Sequence, residues 1–204
     1  MNSQSKIPKG TAGRSGRIAA RSTPTHIDVA SFARPPASLV STILSGMSTP
    51  NVSPIEVPAT TLVGVSGEFI SGLDPNTDAQ QVIPQLWSRL MESHGHALHD
   101  AHWSVGVISD VDGGPTMSYL AAIRLEDSEA NTQGLETVEL PGGSYLACEH
   151  VGPLSSIART TQWFYSEYLP TSGVQLRDDY HLEIYDDRFD PESSESIVLI
   201  CAPV

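Results

Sequence analysis

The group in this sequence best placed to do chemistry is an acid set among aromatic rings. In Asp179-Tyr-His-Leu-Glu-Ile-Tyr-Asp-Asp187 the polarity alternates, and successive side chains of a strand point to opposite faces. His181, Glu183 and Tyr185 therefore share one face, with Leu182 and Ile184 on the other. Just upstream, Gln162-Trp-Phe-Tyr-Ser-Glu-Tyr-Leu-Pro-Thr-Ser-Gly173 reads as an aromatic helix that Pro170 and Gly173 bring to an end. A carboxylate removed from water must meet a cation or take up a proton, because an unpaired buried charge is expensive. The plainer reading of Glu183 is a solvated strand acid, since Asp178, Asp179, Asp186 and Asp187 flank it. Within the helix, Trp163, Phe164, Tyr165 and Tyr168 cannot all share one face at 3.6-residue spacing.

Other clusters point elsewhere. His94, His96, His99, Asp100 and His102 could offer imidazole nitrogens to zinc, copper or nickel. Their spacing matches neither a helical pair nor a finger, so they read as a polar loop ahead of Trp103, and no metal site or cofactor is assigned. No GxSxG elbow is present to raise a serine nucleophile. Cys148 and Cys201 lie in apolar, strand-like runs without CxxC spacing and read as buried reduced thiols.

Charge divides the chain in two. Six of the eleven basic residues precede Asn51, where Asp28 is the only acid; from Asn51 onward five arginines face twenty-three acids, a balance of −18. Such a field repels nucleic-acid phosphates and attracts cations. Residues 1–50, rich in Ser, Pro and Arg, are expected to form a disordered extension, and residues 51–204 the globular domain. No apolar run reaches the length of a membrane span and no secretory core is visible, which places the protein in the cytoplasm.

The elements that must position Glu183 come in a repeated order. Ile55 to Phe69 reads as a strand with a possible bulge. Thr77 and Asp78 offer caps for a helix carrying Ile83, Leu86, Trp87, Leu90 and Met91 on one face, with Pro84 suited to a first turn or a kink. Trp103 to Val111 and Tyr119 to Leu125 form a hairpin across Asp112-Gly-Gly-Pro115. Leu135 to Val151 is a second strand containing Pro141-Gly-Gly, Ser155 or Ser156 caps the aromatic helix, and Tyr180–Asp187 with Ile197–Ala202 closes a second hairpin. Strand, helix, strand, strand thus occurs twice. The fold class expected is α+β, a tandem repeat with pseudo-two-fold symmetry, its antiparallel sheet carrying two helices on one side and a ligand groove on the other.

With these elements in place, the sequence resembles the GyrI-like, or transcription-activator effector-binding, domain family found at the C-terminal ends of AraC-type and MerR-type multidrug regulators and as free-standing proteins. The residues carrying the resemblance are Leu140-Pro-Gly-Gly-Ser-Tyr145 with Gly152, Trp163 to Gly173, Leu182-Glu-Ile-Tyr-Asp186 and Ile200-Cys-Ala-Pro-Val204, over a region from about Pro54 to the last residue. The resemblance implies a pocket for small amphipathic ligands, cationic or planar, in which Glu183 supplies charge and Trp163 and Tyr168 supply rings. Tyr119 and Trp103 are further wall candidates. Within about 6 Å, an aromatic face attracts a cation by roughly 0.5–2 kcal/mol. No helix-turn-helix is legible ahead of the domain, so direct nucleic-acid binding is not expected and the resemblance is to a free-standing sensor or sequestering protein. Two alternatives accompany it: a hydrolase of strained electrophiles using Glu183 as acid or base, and an acidic module for a protein partner such as gyrase. The architecture also resembles SOUL-type haem-binding proteins, though no residue singles out haem.

Overall fold

The computed structural model describes residues 16–17, 49–100, 103–128 and 132–204. Nine strands form one sheet among them: β1 (Gly16–Arg17), β2 (Val52–Val57), β3 (Thr60–Ile70), β4 (Ser104–Asp110), β5 (Thr116–Arg124), β6 (Glu136–Leu140), β7 (Gly143–Val151), β8 (Tyr180–Tyr185) and β9 (Ile197–Pro203), in the spatial order β1-β6-β3-β5-β4-β8-β9-β7-β2. All pairings are antiparallel except β1 with β6. β1 lies inside the stretch expected to be a solvated extension; the rest of that stretch, up to residue 48, falls outside the described residues.

Both long strands expected from the sequence are broken in two, and their pieces are exchanged. Pro58-Ala59 separates β2 from β3, and Pro141-Gly142 separates β6 from β7. β2, from the first half, pairs with β7 of the second, while β6 pairs with β3 of the first. Proline withdraws a ladder donor at each break and lets the chain leave one partner for another. The breaks touch: a Cβ built on Gly142 would overlap the Ala59 amide nitrogen, so only glycine fits there. Apart from β1, the sheet order is therefore symmetric about the central pair, β4 and β8, in accord with the expected pseudo-two-fold repeat.

One face of the sheet carries a single apolar cluster to which all eight longer strands contribute, including Val57, Leu62, Val105, Leu120, Leu140, Tyr145, Leu182 and Cys201. A sheet whose first and last long strands share one core must curl around it. The opposite face carries the helices. α1 (Ala79–Asp100) packs on β3 and β5 over Val65, Phe69, Ile108 and Tyr119. α2 (Ile157–Trp163) contacts β7, continues through a wide π turn (Phe164–Tyr168) and ends in α3 (Leu169–Ser172); Phe164 and Leu169 cover Cys148, Ile200 and Ala202. The central strands β4 and β8 lie in the seam between the two helical layers.

Several local expectations change. Asp78 opens α1 through its carbonyl, which accepts from the Gln81 and Val82 amides, but its side chain accepts from the Ile70 amide at 2.7 Å and ties the helix start to β3. Thr77 Oγ1 receives the Ala79 amide at 3.1 Å. Pro84 sits inside α1, beyond the first turn, where exposed Gln80 and Gln81 leave the unpaired carbonyl open to water. Met91, expected in the apolar stripe, is 54 % exposed, while Ile83, Leu86, Trp87 and Leu90 pack on the sheet. The polar loop expected from His94 is helical to Asp100, past a break at His94 (φ −141°, ψ 28°). The side chains of His96 and His99, and all of His102, lie outside the described residues, as does the question of a metal there. Ser156 does not cap α2, because its hydroxyl donates to the Pro153 carbonyl at 2.8 Å. Pro170 does not stop the aromatic helix: it follows the π turn, where the bonding pattern has already shifted, and Gly173 in the left-handed region (φ 74°) ends it.

Candidate functional site

On β8, period-two alternation is observed as expected. Tyr180, Leu182 and Ile184 enter the curled core, and Glu183 faces the helices. Glu183 is 8 % exposed and is the register partner of Gly106 on β4 and of Ile200 on β9. The groove on the opposite side of the sheet exists, about 200 Å³ in volume, but Ile55, Val57, Trp103, Ile184 and Leu199 line it with Glu56 and Asp186, and Glu183 is not among its walls.

Around Glu183 the hydrogen bonds run inward from three rings. Tyr119 Oη donates to Oε2 at 3.1 Å and Tyr185 Oη donates to the same oxygen at 2.9 Å. Trp87 Nε1, from α1, donates to Tyr119 Oη at 3.1 Å, and its ring meets that of Tyr185 edge-on at 5.3 Å. Tyr119 reaches Glu183 over Gly106: a Cβ at that position would overlap the Tyr119 hydroxyl and stand 2.5 Å from Cζ. Glycine on one central strand thus gives space for a hydroxyl that serves the acid on the other.

The electrostatics follow from this packing. Burial raises the Glu183 pKa above the ordinary carboxylate value, and the bonds from Tyr185 and Tyr119 partly restrain the rise. Burial, with the neighbouring acid, raises both tyrosines well above their usual values, so they remain neutral donors. Arg124, Arg177 and Arg188 are paired with other acids, and no cation is paired with Glu183 among the described residues. Farther along the same face, His181 lies against the Tyr165 ring at 5.4 Å, and burial pushes its pKa down to about 4.

Of the residues singled out from sequence, Glu183 and Tyr119 come together. Trp163 and Tyr168 pack on each other at 5.6 Å beside the Phe164 cluster. Trp103 lies across the sheet at the groove, with the Arg124 guanidinium 5.7 Å from its ring. Sequence reasoning put Tyr185 on the right face without assigning it a role and left Trp87 as core. It passed over Gly106, for which the available signal was a glycine inside an otherwise β-branched strand.

The fold is thus a duplicated α+β unit whose interhelical seam holds a buried acid among hydrogen-bond donors and aromatic rings. The chain belongs to the GyrI-like family: its model, described as a GyrI-like small molecule binding domain, matches residues 50–204. The transcriptional regulator BrlR of Pseudomonas aeruginosa is 26 % identical over 151 residues, 71 % of this chain and 53 % of BrlR, so the match spans about half of that regulator. Among solved structures, SAV2435 bound to tetraphenylphosphonium has a TM-score of 0.57 at 22 % identity, covering 76 % of this chain and 93 % of that one. The EcmrR C-terminal domain has a TM-score of 0.52 at 12 % identity, covering 76 % and 96 %. These two likenesses concern the fold. Among the described residues no helix is long and apolar enough to cross a membrane.

Proposed function

We propose that this domain binds small amphipathic cations, or planar aromatic molecules carrying positive charge, in the seam at Glu183, and serves as a sensor or a sequestering protein for them. The observation that carries this reading is the arrangement at Glu183. Two neutral hydroxyls serve one carboxylate oxygen, no cation is paired with the group among the described residues, and the flanking groups include the Trp87, Tyr119 and Tyr185 rings. A ligand cation entering the seam relieves the desolvated charge and meets aromatic faces, two weakly directional attractions that favour breadth over fine selectivity. The tetraphenylphosphonium bound by SAV2435 is a cation of this kind.

The test is thermal unfolding of the full chain with tetraphenylphosphonium and with a planar cationic dye, each protein compared with its own unliganded melting point. Ligand at 100 times Kd stabilises the folded state by about 2.7 kcal/mol. Wild-type protein should shift with both compounds and Glu183→Gln with neither; equal shifts in the two proteins would remove Glu183 from the site.

A second reading rests on the raised pKa of the same carboxyl. A carboxyl whose pKa is raised by burial holds its proton more firmly, can hand it to a strained electrophile, and as the carboxylate left behind can then activate water. Product formation from an electrophilic ligand by wild-type protein, absent in Glu183→Gln, would support hydrolysis; bound ligand recovered unchanged would leave binding alone.

A further inference from the structure

The seam continues past Glu183 towards the second helical layer, and there the wall changes character. His181 lies two residues earlier on β8 and on the same face, about 7 Å along the strand. On β4 its register partner is Ile108, an apolar neighbour. Above it is Tyr165 from the π turn, whose ring stands 5.4 Å from the imidazole. His181 is half-buried, neither ring nitrogen is hydrogen-bonded within the described residues, and neither is among the buried polar atoms left without a partner. An imidazole held between an isoleucine and a tyrosine ring, its nitrogens open, presents a directional polar contact at a fixed distance from the charge.

We propose that His181 is the specificity-determining residue of this site: it selects amphipathic cations that carry a hydrogen-bonding group, such as a phenolic hydroxyl, about one aromatic ring away from the positive centre. The inference rests on the Glu183 reading and narrows its ligand class. Glu183 answers the charge, the rings of Trp87, Tyr119 and Tyr185 answer the apolar body, and the imidazole nitrogen accepts from the ligand hydroxyl while Tyr165 limits tilting of the imidazole. Because burial keeps the imidazole neutral at physiological pH, it adds a hydrogen bond without adding a repelling charge.

The experiment is calorimetric titration of the full chain with a matched pair of probes, tetraphenylphosphonium and its derivative with one 4-hydroxyphenyl ring. Wild-type protein should bind the hydroxylated cation about two- to twelvefold more tightly, the range one added hydrogen bond provides. His181→Phe should retain the ring contact with Tyr165 and bind both probes equally, while His181→Gln should restore part of the preference. Glu183→Gln should weaken both probes. Equal wild-type affinities for the pair, or a preference that survives His181→Phe, would overturn the proposal even if Glu183→Gln still weakens both. Unchanged affinities in Glu183→Gln, or binding of neither cation, would overturn the Glu183 reading and this proposal with it.

Discussion

Replacing Gly106 by alanine adds one methyl group at the middle of the candidate site, where the Tyr119 ring leaves no room for it. That carbon would overlap the Tyr119 hydroxyl and lie 2.5 Å from Cζ and 3.0 Å from Cε2. Tyr119 is fully buried, held edge-on by Phe69 at 6.2 Å and by Trp87 at 6.5 Å, so its ring cannot swing aside without disturbing α1. Forcing a methyl group into a filled core costs about 1–3 kcal/mol. Displacing the hydroxyl forfeits its bond to the carboxylate, about 1.5–3 kcal/mol. Alanine returns roughly 0.5–1 kcal/mol through the lower backbone entropy of the unfolded chain. The expected net loss is about 2–5 kcal/mol, measurable by urea unfolding followed by circular dichroism. Gly95→Ala is the matched control: a Cβ there meets nothing within 4 Å, so it should be neutral or stabilising by up to about 1 kcal/mol. If Gly106→Ala unfolds within about 0.5 kcal/mol of wild type, Tyr119 does not pass over Gly106 and the account of how Glu183 acquires its donors fails.

Glu183 and the thiols give two further tests. Because the folded-state pKa of Glu183 is raised, its contribution to stability is fully present below the unfolded-state pKa and is lost as pH rises through the folded value. Glu183→Gln should therefore melt higher than wild type at neutral pH, with the gap closing as pH falls towards the ordinary carboxylate range; a gap that widens on acidification would reverse the sign of the argument. Cys148 and Cys201 are free and buried, and burial pushes the Cys148 thiol up to about 12. A thiol-exchange reagent at pH 8 should label neither until denaturant is added, whereas rapid native labelling would show that the sheet opens around β7 and β9.

The sequence made the strand alternation at β8, both hairpins and the order of elements legible, because these depend on local period and turn chemistry. Strand exchange was not legible at that level. Pro58 and Pro141 mark interruptions, but which strand each piece joins is decided by pairings more than seventy residues away, such as Thr61 with Glu139. The aromatic helix misled for a different reason. A π turn takes in one extra residue, so the face predicted at 3.6-residue spacing rotates after Phe164; Trp163 and Tyr168, five apart, become neighbours, and Tyr165 is turned towards His181. The face on which Glu183 lies was legible because a strand has no such freedom of phase.

The exchange of β2 and β6 also determines how the molecule can come apart. The chain looks divisible between β5 and β6, where one strand-helix-strand-strand unit ends and the next begins, yet a cut there would free neither piece. Each fragment would still hold a strand of the other at its outer edge, through β2 on β7 and β6 on β3, while β4 and β8 remained joined along the middle. The repeat therefore works as a clasp rather than as two beads on a string. Because its acid and the glycine that makes room for the donor come from opposite sides of the clasp, the seam at Glu183 exists only when the clasp is shut.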